Sequence, residues 1–476
     1  MKPEIKRVIQ RVDTTNWIKM PLEFGEGFLE IRVPPECAVL SMKEVPARAD
    51  PTRAIEEALS RPVGCPPIEE IIRRKQKAAS RVTVAVTVSD ITRPVPYKGE
   101  TGILIPLLKR LEGAGVRKQN ITIIVGTGTH RPSSAAEKKE MFGESVVRDF
   151  RILHHDCEDL ECLAYLGRTK KQTEVYVNKA FFAADVRIVT GLVESHFMAG
   201  VSGGRKGVCP ALVDTRTIEK FHGPEFLESP QADNLVLDGN PCHEEALDVA
   251  RTVGVDFTVN VTLDKDMRLT GVFAGHLEES HMEAFRFMKG YTAIPLDRDF
   301  DIVLTHGGYV GRNHYQTAKA ACAALPAVKT GGTIIIAADN RDGEPIGSPA
   351  YRGLSGQLKK LGIEGYVAMI KDPDWSFTRD QWEPEVWGRV LRKVGEEGLV
   401  YCSPQIEAAE FTRLPGRSGY EFIEVEQMLS GREIPQAMVQ NALLYFISRH
   451  LEEGRRPSTA MIREGPYAVP YLRKSS

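Results

Sequence analysis

One stretch of this chain draws two histidines and a lysine together. Glu194-Ser195-His196-Phe197-Met198-Ala199-Gly200-Val201-Ser202-Gly203-Gly204-Arg205-Lys206-Gly207 follows an apolar run from Val186 to Val193, and His222 comes sixteen residues after the lysine. The run reads as a buried strand, and the small residues behind it as a loop that carries Arg205 and Lys206 past the histidine. Imidazoles exchange protons near neutral pH and bind metals, and glycine-rich turns expose backbone N–H groups to anions. The stretch therefore reads as a reaction centre or an anion site.

Other apolar runs end in reactive residues too. Asp90-Ile91-Thr92-Arg93-Pro94 closes Arg81 to Val88, Gly126-Thr127-Gly128-Thr129-His130-Arg131-Pro132 closes Ile121 to Val125, and His154-His155-Asp156 closes Phe150 to Leu153. Ligands of open α/β sheets sit outside the carboxyl ends of strands, so these ends would share one edge. Each motif is weak alone; their convergence carries the weight. Beside His196, His130 reads better as a functional residue than as a turn-bonding one. His154 and His155 face opposite ways if extended, which makes one of them structural. His222, at the end of a helix, reads by itself as an imidazolium on the helix dipole. Lys206 reads either as a solvated cation or as a phosphate ligand, and Cys209 as a small apolar filler. His243, His276, His281, His306, His314 and His450 read as surface or packing residues.

The elements that must position these groups alternate. Strand-like runs at Val186 to Val193, Phe257 to Leu263, Phe300 to Leu304 and Thr333 to Ala337 are separated by helical patterns such as Ile68 to Ala79, Gly102 to Gly113, Glu244 to Thr252 and Gln316 to Val328. The expected fold is α/β, in two α/β domains with mainly parallel sheets and the active site in the cleft between them. Residues 1–290 are expected to form the cofactor-binding, catalytic domain with 406–476 packing back on it, and 291–405 the second domain. Gln316 and Lys319 share a helix face there, and Trp375, Trp382 and Trp387 form an aromatic cluster.

Composition narrows the function class. With 476 residues, 42% hydrophobic and 26% charged, the chain can bury large cores, and a net charge of −2 offers no field to gather nucleic acid or an anionic membrane. No apolar run approaches the length of a membrane span and no secretory h-region follows the N-terminus, so a cytoplasmic location is expected. Eight scattered cysteines without a C-x-x-C pair read as reduced thiols.

Taken together, Asp90-x-Thr92-Arg93-Pro94, Gly126-x-Gly128-x-His130-Arg131-Pro132, His196-Phe-x-Ala-Gly-x-Ser-Gly-Gly-Arg-Lys206, His222, Gly239-Asn240-Pro241-x-His243-Glu244 and Tyr315-Gln316-x-x-Lys319-Ala320 resemble the lactate racemase family, from about residue 25 to the closing Gly-Pro-Tyr. The resemblance implies a 2-hydroxy acid racemase or epimerase that carries a nickel-pincer nucleotide, the nickel complex of pyridinium-3,5-bisthiocarboxylic acid mononucleotide. It implies His130 and His196 as the acid/base pair, Lys206 as the cofactor tether and His222 as the nickel ligand. Asp90, Arg93, Ser202, Gly203 and Gly204 would line the cofactor; Arg93, Gln316, Lys319 and Trp382 would bind substrate. Proteins that synthesise the cofactor are the implied partners. The α-hydrogen of a 2-hydroxy acid is held too tightly for an ordinary histidine to take as a proton, so the implied route is hydride transfer to and from the cofactor.

The chain departs from the family pattern at Ser195, where proline is frequent, and at Gly311-Arg312-Asn313-His314 ahead of Tyr315. Arg312 and His314 are surplus donors for lactate, so a longer or more polar 2-hydroxy acid is expected. Two other classes compete: a hydrolase with a metal on His130, His196 and His222, and a noncatalytic protein that binds a sugar acid or nucleotide.

Overall fold

The computed structural model describes residues 3–78, 81–424, 431 and 433–473. The chain forms two compact units, Glu44–Tyr291 and a second made of Met1–Lys43 with Thr292–Ser476. Each is α/β and built on a mainly parallel sheet.

In the Glu44–Tyr291 unit the sheet runs Leu269–Gly275, Phe257–Leu263, Val186–Leu192, Val84–Ser89, Ile121–Gly126, Arg151–His154. Neighbours are parallel except for the Leu269–Gly275 edge. Val84 to Val88 are all buried, as a strand covered by helices on both faces requires. The helices Ile68–Gln76 and Leu104–Gly113 supply Ile68, Ile72, Leu104, Leu107 and Leu111 to the same core. Ala79, expected at the end of the first of these helices, lies outside the described residues. Strand order reverses between Val84–Ser89 and Val186–Leu192. A reversal of this kind opens a crevice at the strands' carboxyl ends, and here those ends carry Asp90 and Glu194.

The second unit has a six-stranded parallel sheet in the order Arg417–Ser418, Leu399–Cys402, Val328–Ala337, Phe300–His306, Thr459–Ile462, Ala38–Leu40. This corrects the expected domain division. Residues 1–43 do not join the Asp90–His222 unit, because Ala38–Leu40 pairs with Thr459–Ile462 and the Gly27–Val33 strand shares a core with the Glu433–Glu452 helix. For the same reason 406–476 packs on the sheet of its own unit, where Met438, Val439, Ala442 and Leu443 meet Ile302, Leu304 and Ile335. Among the described residues no helix is long and apolar enough to cross a membrane.

Candidate active site

Asp90 ends its strand in a tight turn. Its Oδ1 accepts from the Thr92 backbone N–H at 3.0 Å, and its Oδ2 lies 2.6 Å from His130 Nδ1. Burial raises the carboxyl's pKa, but His130, Thr92 and Arg93 outweigh burial and hold it below the ordinary carboxylate range. An ionised Asp90 accepts Nδ1–H, so that in the neutral tautomer this favours, Nε2 carries the lone pair. That ring is 38% exposed and can therefore reach a ligand.

His196 is wired differently. Its Nδ1 accepts from the backbone N–H groups of Met198 and Ala199, both at 3.3 Å, and its ring stacks on Phe197 at 4.9 Å. Its Nε2 lies 2.9 Å from Lys206 Nζ, so donors face both ring nitrogens. The Gly204–Gly207 turn brings the lysine back to the histidine.

Two glycines make the turn possible. Gly203 has φ +70°, and a Cβ there would lie 2.7 Å from Val193 Cγ2; Gly204 has φ +52°, and its Cβ would lie 2.6 Å from the His281 ring. Both positions demand glycine for backbone and space alike. The Gly204 N–H and the Ser202 hydroxyl both bond within the unit. The Gly204 N–H donates to Asn260 Oδ1 at 2.9 Å, and the Ser202 hydroxyl donates to Leu192 O at 2.7 Å and accepts from Glu194 N at 3.0 Å. Arg205 turns inward, only 1% exposed, and donates to Ala199 O at 2.7 Å; burial pushes its pKa down to about 9. Ser202, Gly204 and Arg205 thus shape the loop that presents His196 and Lys206.

His222 follows the Thr215–Phe221 helix, and its Nδ1 donates to Ile218 O at 2.9 Å. Burial, then the charge of Lys206, push its pKa down to about 3, with His130 contributing. The imidazolium expected on the helix dipole is therefore excluded; the ring is neutral, with its lone pair on Nε2. Lys206 touches His196, and His222 senses both Lys206 and His130, so the four residues form one cluster. Among the described residues no group of three or more His, Cys, Asp or Glu side chains could hold a metal ion. His130, His196 and His222 do not form the three-ligand centre of a hydrolase.

The remaining candidates fall into place as packing or as support. His155 is buried on Val213 O, and His154 Nε2 accepts from Ser133 N. Cys209 is fully buried, and burial pushes its thiol's pKa far up, as a filler requires. Arg93 Nε pairs with Glu194 Oε1 at 3.3 Å. Sequence reasoning quoted Glu194 without giving it a role and passed over Asn260, a polar residue in the apolar strand Phe257–Leu263; His281, read there as surface or packing, is buried.

In the other unit, the His314–Ala324 helix is capped by Asn313, whose side chain accepts from Gln316 N. Lys319 Nζ donates to Gln316 Oε1 at 2.7 Å, and Trp382 Nε1 donates to the Tyr315 hydroxyl at 2.9 Å. Glu383, 2% exposed, senses the Lys319 charge, although burial wins and raises its pKa. His314 corrects an expectation. It is 0% exposed, bonds the Tyr351 hydroxyl at 2.7 Å and stacks on Trp387 at 4.5 Å. Burial pushes its pKa down to about 3, so it is a neutral core residue and not a surplus donor. Arg312 pairs with Asp342 at 3.3 Å.

Residues 24–234 match the family described as "Lactate racemase N-terminal domain", and residues 297–410 match "Lactate racemase C-terminal domain". The chain is 35% identical to a lactate racemase of Lactiplantibacillus plantarum over 71% of its length and 77% of the relative's. It is 31% identical to one of Thermoanaerobacterium thermosaccharolyticum over 71% and 76%. In fold it resembles the lactate racemase apoprotein of T. thermosaccharolyticum, with TM-score 0.76 and 24% identity, over 96% of this chain and 100% of that one. A Thermotoga maritima protein matches at TM-score 0.61 and 19% identity, over 86% and 99%.

Proposed function

From the premise that the chain belongs to the lactate racemase family and is an isomerase of the racemase type, we propose that it inverts C2 of a short 2-hydroxy monocarboxylic acid, lactate first, with a nickel-pincer nucleotide as cofactor. One observation carries this reading: His130, His196, Lys206 and His222 gather in one cluster, His130 on Asp90, His196 on Lys206, and His222 within the field of Lys206 and His130.

The donor set suits such a cofactor. His222 offers a neutral imidazole whose tautomer is fixed by Ile218 O, a suitable ligand for nickel, and Lys206 offers an amine in a glycine-shaped turn. When bound, the cofactor supplies a carbon that takes up and returns hydride. The chain's own groups do the rest. His130 Nε2 takes the hydroxyl proton while Asp90 stabilises the imidazolium that results. His196, once it is an imidazolium, would return a proton on the opposite side of the substrate and be left neutral. Arg93 would be the carboxylate's partner. General acid–base help of this kind contributes about 10² to 10⁴ in rate; the rest falls to positioning and to the cofactor. His314 and Arg312 no longer argue for a larger polar substrate, since one is core and the other is paired.

The test uses protein coexpressed with the cofactor-synthesis proteins, incubated with single-enantiomer lactate in deuterated water. Inversion with the α-protium retained and nickel bound is expected. Deuterium at C2 would overturn hydride return, and failure to invert any 2-hydroxy acid would overturn the substrate class.

A further inference from the structure

We propose that Glu194 sets the charge class of the substrate, admitting one carboxylate and rejecting a second; this rests on the 2-hydroxy acid reading above. Glu194 ends the Val186–Leu192 side of the crevice where strand order reverses, and Arg93 ends the Val84–Ser89 side. The Arg93 Nε to Glu194 Oε1 pair at 3.3 Å spans that crevice, with the two side chains 18% and 17% exposed.

Both partners are held. Glu194 N donates to Ser202 Oγ at 3.0 Å, and Ser202 N donates back to Glu194 O at 2.9 Å. Arg93 Nη1 donates to Thr92 O at 3.1 Å and approaches Thr92 Oγ1 at 3.4 Å. A guanidinium can fork onto a carboxylate through its Nε/Nη2 edge or its Nη1/Nη2 edge. Glu194 sits on Nε and Thr92 on Nη1, so an incoming carboxylate would meet the guanidinium at Nη2, beside Glu194. With that carboxylate in place, Arg93 faces two negative charges, and Asp90 is a third in the same turn. A second substrate carboxylate on the Glu194 side of Arg93 would meet this field at close range. A neutral or hydrogen-bond-donating substituent at C3 would instead find Glu194 an acceptor. Glu194 is thus a specificity-determining residue that works by repelling the wrong partner.

Holoenzyme and its Glu194→Gln variant are compared on lactate and malate, which share the 2-hydroxy acid centre and differ by one carboxylate. The unaltered enzyme is expected to favour lactate, and Glu194→Gln to shift the kcat/KM ratio towards malate by about ten-fold or more, the scale of one half-screened like-charge contact. Glu194→Asp, which keeps the charge, should keep the preference. An unchanged ratio in Glu194→Gln overturns the proposal. Calorimetric titration of both acids into both proteins reads the same discrimination without turnover. If neither acid is inverted, the racemase reading fails, while the affinity ratio still decides the role of Glu194.

Discussion

The turn at Asp90 and the loop at Gly203 each deliver a histidine to one strand edge, and they wire it in opposite senses. His130 gives its Nδ1 proton to a buried carboxylate and keeps a bare Nε2. His196 receives two backbone N–H groups on Nδ1 and sets Nε2 2.9 Å from Lys206 Nζ. A reaction that removes a proton on one side and restores it on the other needs two histidines in different states. Here one ring sits against a carboxylate and the other against an amine, so their surroundings favour different charge. Residue type alone would have made the pair equivalent.

Replacing the histidines tests the comparison most severely. His130→Ala and His196→Ala should each lower turnover by about 10² to 10⁴ while nickel stays bound. Because racemisation has an equilibrium constant of one, each variant must lose kcat/KM equally in both directions, so steady-state rates hide the asymmetry. Acid quench of holoenzyme with each single enantiomer reveals it. 2-Oxo acid should fail to form from one enantiomer in His130→Ala and from the other in His196→Ala. The same enantiomer failing in both would break the opposed arrangement.

Asp90→Asn sharpens the His130 half alone. It keeps the size of the side chain but removes the charge that favours Nδ1–H, so the wrong tautomer competes. A loss of about 10- to 100-fold in turnover is expected, smaller than for a fully enclosed triad because His130 is partly solvated. Full activity in Asp90→Asn would mean that His130 needs no orienting carboxylate.

Gly204→Ala probes the other half through stability. Its Cβ would press on the His281 ring from a positive φ, at a cost of about 1 to 3 kcal/mol. The expected readout is a lower midpoint of thermal unfolding; an unchanged midpoint would show that the loop yields.

Much of this site was legible in the sequence because its determinants are local. Apolar runs of β-branched residues announce strands, and the residues behind them announce strand ends; His130, His196 and Lys206 were found in this way, whereas His222, at a helix end, entered through the family resemblance. What escaped depends on pairing across the chain. Glu194 looks like any acid after a strand until Arg93 is seen beside it, and Arg205 looks like the twin of Lys206 until the chain turns it inward. The terminal segments were misassigned for a related reason. Ala38–Leu40 is only three residues long, and its partner strand lies near the far end of the chain. His314 misled because a histidine in a polar motif says nothing about the tyrosine and tryptophan that enclose it.

The smallest expected effect separates the two halves by pH. His281 Nε2 lies 2.8 Å from Ser202 O and 3.2 Å from Arg205 Nη1 behind the His196 loop, and burial, then Arg205, push its pKa down to about 3. The unfolded chain's histidine titrates near 6.5. Between these values the unfolded state takes a proton that the folded state refuses, so stability is complete above about pH 6.5 and falls as pH falls towards the folded value. Asp90 has the same sign but a lower window. Its contribution is present above the unfolded carboxyl's pKa near 3.9 and is lost only below it. Unfolding midpoints measured between pH 7.5 and 5 therefore isolate the buried histidines. His306 and His314, also pushed down by burial, contribute equally to any comparison that leaves them intact. His281→Gln, which retains a donor for Ser202 O, should flatten the pH dependence by at most about 1.4 kcal/mol per pH unit, the limit for one proton. An identical slope in variant and parent would mean that His281 accepts its proton while folded, and that the support behind the His196 loop is looser than its hydrogen bonds indicate.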